Sequence, residues 1–208
     1  RSPLRSVLGL LKLIDKSIRE DDKKMTFEAL DLAQKSLTKL DMLVQDILIL
    51  AKIKHEDEEV QPIDVEALVK ESLDKFSHME HYERLDIQFD FRFKGKLATK
   101  KNRLTVIVEN LISNAIKYQD LEEENSFIKI STYISEKAFV FSISDNGLGV
   151  PKDKQEKLFT MFQRLHPKTS FGSGLGLYMI KKSATVLGGE IIFEDIGQGS
   201  NFKLAVPM

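Results

Sequence analysis

The sequence predicts a helical hairpin over residues 1–61, followed over residues 62–208 by an α+β sandwich in which helices cover one face of an open sheet. Nine of the eleven glycines lie after residue 140, and none lies between Gly9 and Gly95. Apolar residues recur at helical spacing in the first part, whereas the second part mixes helical and alternating patterns. We therefore expect continuous helices first, and turns with close backbone approaches later.

The hairpin is indicated by two runs of apolar residues, spaced by three and four positions and separated by the polar stretch 19–24. Such a repeat keeps one seam of a helix facing a partner helix. The runs are Leu4, Val7, Leu11, Ile14 and Ile18, then Leu30, Ala33, Leu37, Leu40, Val44, Ile47 and Ala51, and the stripe is widened by Leu8, Leu10, Leu43 and Leu50. We expect two copies to bury this wide stripe in a dimeric four-helix bundle. Packing against the rest of the same chain is the alternative.

The polar stretch 55–62, which ends in a proline, is predicted to be the domain boundary. Asp64 is expected to cap the helix that follows it. Helical spacing predicts helices over 63–76, 104–118 and 175–187. Strands are predicted over 85–93, 127–134, 138–144, 191–193 and 202–206, with a hairpin turn at 197–199.

The composition excludes several classes of function. The 31 basic and 32 acidic residues nearly cancel, so the broad positive field typical of nucleic-acid binding is missing. The absence of cysteine excludes disulfides, thiol nucleophiles and cysteine-ligated zinc. No apolar run approaches the roughly 18–20 residues that cross a bilayer, so we expect no membrane contact from this chain itself.

Two segments carry polar residues suited to a nucleotide. The helix over 104–118 places four polar side chains on one face, and their amide oxygens and ammonium suit a magnesium ion and its phosphates: Asn110, Asn114, Lys117 and Tyr118. A solvated helix face is the alternative. Asp145 ends a predicted buried strand and precedes two glycines, so its carboxylate suits the exocyclic amine of adenine. A plain Asx-turn is the alternative there.

Two further segments give only a weak indication of function when each is considered alone. Residues 159–164 pair Phe159 and Phe162 with Arg164, a pattern typical of a helical turn that faces the core. Residues 172–177 (Gly-Ser-Gly-Leu-Gly-Leu) open a helix, where free backbone N–H groups bind anions. This glycine segment is neither a Walker loop nor a dinucleotide fingerprint, because it lacks the lysine of the former and follows a polar loop.

Together, in this order and spacing, the four segments resemble the N, G1, F and G2 boxes of the histidine-kinase catalytic domain, a member of the gyrase and Hsp90 ATPase superfamily. The resemblance covers residues 62–208. The hairpin before it is similar to the family's dimerisation and histidine-phosphotransfer domain. The resemblance implies a nucleotide-binding sandwich of the histidine kinase/gyrase/Hsp90 type, with ATP and Mg²⁺ as cofactors.

The resemblance also implies a role for each matching residue. Asn114 would be the magnesium ligand, and Asn110 would help to hold the ion and the phosphates. Lys117 would meet the phosphates, Tyr118 would line the nucleotide, and Asp145 would bind the adenine amine.

The remaining matches concern the loops. Arg164 would reach the γ-phosphate, where a guanidinium stabilises charge. A lid over roughly 163–171 would cover the phosphates, with Lys168 in it as a solvated lysine. The other nucleotide-binding residues are those that shape the adenine pocket or anchor the lid: Gly147, Gly149, Gly172, Gly174, Leu175 and Gly176.

One departure separates a kinase from a hydrolase. Gyrase- and Hsp90-like members have a water-activating glutamate four residues before the metal asparagine, and this chain has Asn110 there. The nearby Glu109 lies about 100° further around the helix. Because an amide is no general base at neutral pH, the resemblance favours a protein kinase over an ATPase.

A second departure concerns the phosphoacceptor. Arg1-Ser2-Pro3-Leu4 matches the tail of the family's acceptor-histidine box, so we expect the acceptor three residues upstream of Arg1. The chain's own histidines (His55, His78, His81 and His166) are expected to be structural or solvated, although His166 lies where it could touch phosphate.

The predicted function is therefore the ATP-dependent core of a two-component sensor histidine kinase. It would act as a homodimer, phosphorylate the upstream histidine and pass the phosphoryl group to an aspartate of a response regulator. The expected location is the cytoplasm, either alone or as part of a longer membrane-anchored sensor. The alternatives are a nucleotide-binding signalling module without kinase activity and a gyrase- or Hsp90-type ATPase.

Overall fold

A computed structural model describes residues 3–55, 58–166 and 172–208. They fold into two compact units. The first is helical and comprises residues up to Lys52, to which Gly172 and Ser173 are also assigned. The second is an α/β unit that contains the other residues.

The helical unit is a hairpin of α1 (Pro3–Arg19) and α2 (Lys23–His55), as predicted. The Asp22 carboxylate accepts the N–H of Met25 at 2.9 Å and caps the start of α2. The hydroxyl groups of Ser17 and Thr26 lie 2.8 Å apart across the turn. Half of the polar stretch 19–24 is therefore helical, and the turn occupies residues 20–22 at its centre.

Part of the predicted apolar seam packs between α1 and α2, and the rest faces away from the hairpin. Ile14 is buried with Ala29 and Ala33, so this half of the repeat packs α1 against α2. The other half remains half-exposed or more, since Leu11 is 52% exposed and Ile18 is 63% exposed. The same holds for Leu4, Leu30, Leu37, Val44 and Ile47. One helix partner thus covers only part of the stripe.

The α/β unit contains a five-stranded sheet in the order β2-β4-β5-β7-β6, in which only the β2–β4 pair is parallel. Its helices are α3 (Val65–Phe76), α4 (Lys101–Lys117), the short α5 (Lys152–Gln155) and α6 (Gly176–Val186). Its strands are β2 (Asp86–Phe91), β4 (Phe127–Ser135), β5 (Ala138–Asp145), β6 (Glu190–Glu194) and β7 (Ser200–Pro207), and a separate two-stranded ladder joins β1 (Val60–Ile63) to β3 (Leu97–Lys100).

The core lies between the helices and one face of the sheet. Ile130, Ile143 and Phe202 are paired neighbours on β4, β5 and β7, and all three are buried on that face. Leu111 of α4 and Ile180 of α6 belong to the same apolar cluster, together with residues of α3. The predicted sandwich, with helices on one face of an open sheet, is confirmed. Asp64 also caps α3 as expected, accepting the N–H of Ala67 at 3.0 Å.

Two segments differ from the predictions. The end of the polar stretch 55–62 is not all linker, because β1 begins at Val60 and pairs antiparallel with β3. Pro62 fits there because a proline is tolerated on an edge strand. Residues 159–164 are not a helical turn. Phe162 has φ of 62° and is 61% exposed, and only Phe159 packs against the core.

Candidate functional site

The polar face of α4 brings the predicted N and G2 segments together. Asn110 is half-buried, and its side-chain N–H₂ donates to the Val106 carbonyl at 2.8 Å. Its Oδ1 therefore remains an acceptor. This atom lies beside Gly176 at the start of α6, where a Cβ would come within 2.8 Å of it. Gly176 thus leaves room for the Asn110 amide between the two segments.

The other three polar residues of this face follow towards the C-terminus of α4. Asn114 and Lys117 are half-buried in its last turns, and Tyr118 is the residue at which the helix ends. The backbone carbonyl of Tyr118 accepts the N–H of Leu148 at 2.9 Å. This bond ties the end of α4 to the G1 segment.

Asp145 lies at the C-terminal end of β5 and is 8% exposed. Its Oδ1 accepts the N–H of Gly147 at 3.0 Å, and its Oδ2 accepts the hydroxyl of Ser200 at 2.7 Å. Burial raises the pKa of the Asp145 carboxyl, and the hydrogen bonds from Ser200 and Gly147 partly offset this rise. Three hydrogen bonds, from the N–H of Gly147 and from the hydroxyl and backbone of Ser200, leave about one of the roughly four lone-pair sites of the carboxylate for a further donor.

Ser200 was not predicted as a site residue. Its contact depends on the pairing of β5 with β7, which sets Asp145 opposite Ser200. The nearest sequence signal is the Gly197-Gln198-Gly199 turn directly before it. That turn predicts a hairpin but does not tell which residue it places beside the carboxylate.

Close backbone approaches explain two glycines of the G1 segment. A Cβ on Gly147 would overlap the Tyr118 carbonyl oxygen. Gly149 has φ of 61°, and a Cβ there would lie 2.9 Å from the carbonyl oxygen of Gly199. Side chains at either position would push the G1 segment away from α4 or from the turn before β7.

The G2 segment leads into α6. Gly174 has φ of 76°, and a Cβ on it would lie 2.7 Å from the carbonyl carbon of Phe162. The side chain of Leu175 is fully buried, so this residue offers only its backbone to a ligand. Gly172 is assigned to the helical unit and is not part of this geometry.

His166, two residues after the F segment and inside the predicted lid range 163–171, contacts the G1 segment. His166 Nε2 lies 2.8 Å from the Gly149 carbonyl oxygen, and its ring centroid lies 5.8 Å from that of Tyr118. Arg164 is half-buried, and its carbonyl accepts the Lys154 ammonium at 3.2 Å. Residues 167–171, which hold Lys168 and most of the predicted lid, lie outside the described residues.

Glu109 is turned towards α3. Its carboxylate pairs with the Lys75 ammonium, with Nζ at 2.9 Å from Oε1 and 2.8 Å from Oε2. The carboxylate is therefore engaged outside the polar face that Asn110 and Asn114 share. This arrangement agrees with the offset of about 100° expected for adjacent helix positions.

Within the described ranges, no group of three or more histidine, cysteine, aspartate or glutamate residues is placed to hold a metal ion. None of the helices in these ranges is both long and apolar enough to cross a membrane.

A family model described as histidine kinase-, DNA gyrase B- and HSP90-like ATPase matches residues 99–208. The chain belongs to this ATPase family. The match runs from β3 to the C-terminus of β7 and includes all four site segments. Its α/β unit is accordingly an ATP-binding domain, as the sequence predicted.

Curated relatives of this ATPase-family chain include sensor kinases. The signal transduction histidine-protein kinase ArlS of Staphylococcus epidermidis is 28% identical over 221 residues, covering 100% of this chain and 46% of ArlS. The phytochrome-like protein Cph1 of Synechocystis sp. is 27% identical over 210 residues, covering 100% of this chain and 28% of Cph1. The chain thus spans less than half the length of these two relatives.

Solved structures give the same fold over the whole chain. The Acinetobacter baumannii histidine kinase AdeS has a TM-score of 0.73 at 21% identity, covering 100% of this chain and 96% of AdeS. Full-length ShkA in complex with AMPPNP has a TM-score of 0.69 at 25% identity, with 100% and 43% covered. Histidine kinase ThkA in complex with response regulator TrrA has a TM-score of 0.68 at 22% identity, with 100% and 58% covered. The resemblance to sensor histidine kinases is confirmed.

Proposed function

We propose that the chain is the ATP-dependent catalytic core of a two-component sensor histidine kinase. The single observation that carries this choice within the ATPase family is the position of Glu109. With Asn110 on the polar face and Glu109 paired to Lys75, neither residue offers a general base beside the phosphates. ATP would be held without an activated water, as a kinase that waits for a protein acceptor requires.

Adenine recognition is assigned to Asp145. Its carboxylate is buried, oriented by Gly147 and Ser200, and acceptor-only when ionised. It would therefore accept the exocyclic amine of adenine, whereas guanine presents a carbonyl oxygen at the equivalent place. Tyr118, at the end of α4, would line the same pocket.

The phosphates and Mg²⁺ are assigned to the polar face of α4 and to the segments beside it. The donor set fits the ion, because the amide oxygens of Asn114 and Asn110 are hard ligands and Gly176 leaves the Asn110 oxygen uncovered. When bound, Mg²⁺ neutralises the charge of the phosphates it bridges. Lys117 would contact these phosphates, and Arg164 would stabilise charge on the γ-phosphoryl group during transfer.

The acceptor is proposed to be a histidine upstream of Arg1 in the longer protein. His78 and His81 are exposed on the α/β unit, and His166 is bonded to the G1 segment. The next acceptor would be an aspartate of a response regulator, as the complex of ThkA with a response regulator suggests. A cytoplasmic location follows from the need for ATP and for this partner.

Homodimerisation through the hairpin completes the proposal. Leu11, Ile18 and the other half-exposed apolar residues of α1 and α2 are the half of the heptad repeat that the hairpin does not cover. A second copy would bury them in a four-helix bundle.

The test is incubation of the natural full-length protein with Mg²⁺ and γ-labelled ATP. We expect a phosphoprotein whose label is acid-labile and base-stable, and which is lost in Asn114→Ala. Asn102→Ala, an exposed asparagine at the other end of α4, is the matched control and should retain the label. Nucleotide binding without label would indicate a signalling module, and steady hydrolysis without label would indicate a gyrase-type ATPase.

A further inference from the structure

His166 makes two contacts that the proposed chemistry does not use. Its Nε2 lies 2.8 Å from the carbonyl oxygen of Gly149, and its ring lies 5.8 Å from the Tyr118 ring at an interplanar angle of 48°. The side chain is half-buried. These contacts join three parts of the chain that are distant in sequence: the stretch just after the F segment, the G1 segment and the end of α4.

The direction of the hydrogen bond follows from its chemistry. A carbonyl oxygen only accepts, so the proton lies on His166 Nε2 and the imidazole donates. Gly149 has φ of 61°, a left-handed conformation. The hydrogen bond from His166 therefore restricts the backbone of Gly149, which as a glycine could otherwise adopt many conformations.

The G1 segment is thereby held at two points. Leu148 donates its N–H to the Tyr118 carbonyl, and Gly149 accepts from His166. The same segment contains Asp145, the proposed adenine acceptor, and Gly147, whose N–H orients the Asp145 carboxylate. If the backbone of residues 147–149 became more mobile, the carboxylate that is proposed to bind the adenine amine would be held less firmly.

We propose that His166 is a positioning residue for the nucleotide. It fastens the stretch just after the F segment to Gly149 and packs its ring beside Tyr118, so that the wall of the adenine pocket is formed before the ligand arrives. This inference rests on the proposed ATP site. A preformed wall raises affinity because less backbone has to be ordered on binding.

Binding of ATP with Mg²⁺, measured by calorimetry, is the first test. We expect His166→Ala to raise the dissociation constant by about three- to tenfold, the range for loss of one hydrogen bond. His166→Gln, whose side-chain amide also donates a hydrogen bond, should recover much of the lost ATP affinity. His166→Phe should keep the ring contact with Tyr118 but bind ATP as weakly as His166→Ala. His78→Ala, which removes an exposed histidine of the same unit, is the control. Wild-type affinity in His166→Ala, or a His166→Gln variant as weak as His166→Ala, would overturn the inference.

Hydrogen exchange on the nucleotide-free protein separates this inference from the proposed function. We expect the backbone amides of residues 147–150 to exchange several times faster in His166→Ala and unchanged in His78→Ala. If wild-type protein fails to bind ATP, the proposed function fails, and the exchange result alone still decides whether His166 fastens the G1 segment. Unchanged exchange in His166→Ala would show that it does not.

Discussion

The ammonium of Lys75 in α3 lies 2.8 Å from Oε2 of Glu109 in α4. Two adjacent residues of α4 therefore make different contacts. Glu109 forms an ion pair with α3, and Asn110 faces the G2 segment. Within α4, which the structure describes in full, Glu109 is the only acidic residue, and the Lys75 ammonium holds its carboxylate.

Glu109→Gln should accordingly leave autophosphorylation and ATP turnover within about twofold of wild type, since the lost ion pair is remote from the phosphates. The pair is partly exposed, so the loss of stability should be small, about 0–1 kcal/mol. Labelled-phosphate incorporation and thermal unfolding of the same samples test this. A loss of turnover as large as that of Asn114→Ala would make Glu109 the catalytic base and contradict the kinase assignment.

Asp145→Asn should separate nucleotide binding from stability. An asparagine can keep the acceptor for Gly147 and donate to Ser200, but it then presents a donor to the adenine amine. The loss of a charged hydrogen bond predicts an affinity for ATP lower by about 10- to 100-fold. Calorimetric titration with ATP and GTP checks this, and unaltered ATP affinity would exclude Asp145 as the adenine acceptor.

Ionisation of the same residue, Asp145, should also make the folded protein less stable as the pH rises. Because burial raises the pKa of the Asp145 carboxyl in the folded protein, ionising it costs stability as the pH rises from 3.8 through that raised pKa. The thermal midpoint of Asp145→Asn minus that of the wild type should therefore increase as the pH rises from 3.8 to the raised pKa. Above that pKa the difference should stay constant. Unfolding scans from acidic to neutral pH test the trend, and Asp195→Asn is a comparison of opposite sign, because hydrogen bonds from Gln155 and Gly197 lower the pKa of that exposed carboxyl. A difference that is flat with pH would contradict it.

The longest periodic segments were the most predictable from sequence. The helix α4 and the strands β4 and β5 have clear spacing, and they end close to the predicted residues. The β1–β3 ladder was missed because each strand has four residues and one contains Pro62, so neither gives a pattern. The apolar repeat of the hairpin was found, but spacing alone could not tell which half faces α2.

The site was predictable where its residues share one element and unpredictable where the fold brings distant residues together. The stripe that begins at Asn110 follows from helical spacing, and its suitability for magnesium and phosphates follows from its side chains, although the role of each residue came from the family resemblance. The contact of Ser200 with Asp145 spans 55 positions and depends on strand register. The contact of His166 with Gly149 depends on a loop path that no periodicity encodes.

Two glycines with left-handed backbones give a matched test of the F–G2 contact. Gly174→Ala would strain φ and also press a Cβ against the backbone of Phe162, whereas Gly188→Ala would strain φ in open space. We expect Gly188→Ala to cost about 1–2 kcal/mol of unfolding free energy, and Gly174→Ala to cost more. Gly174→Ala should also weaken ATP binding, because the G2 segment must shift. Denaturant unfolding and calorimetry measure both effects, and equal results for the two variants would contradict the proposed contact.

Leu11→Glu should disrupt the proposed dimer without harming the α/β unit. Leu11 is 52% exposed in the single chain, so its burial would depend on a second copy, and a charge there would have to be desolvated in the bundle. Sedimentation equilibrium should show a shift from dimer to monomer, with ATP affinity unchanged because the proposed nucleotide residues other than Gly172 lie in the α/β unit. Leu121→Glu, at a residue of similar exposure on the α/β unit, is the matched control and should remain dimeric. A wild-type protein that sediments as a monomer, or a Leu11→Glu variant that stays dimeric, would place the dimer contact elsewhere or exclude it.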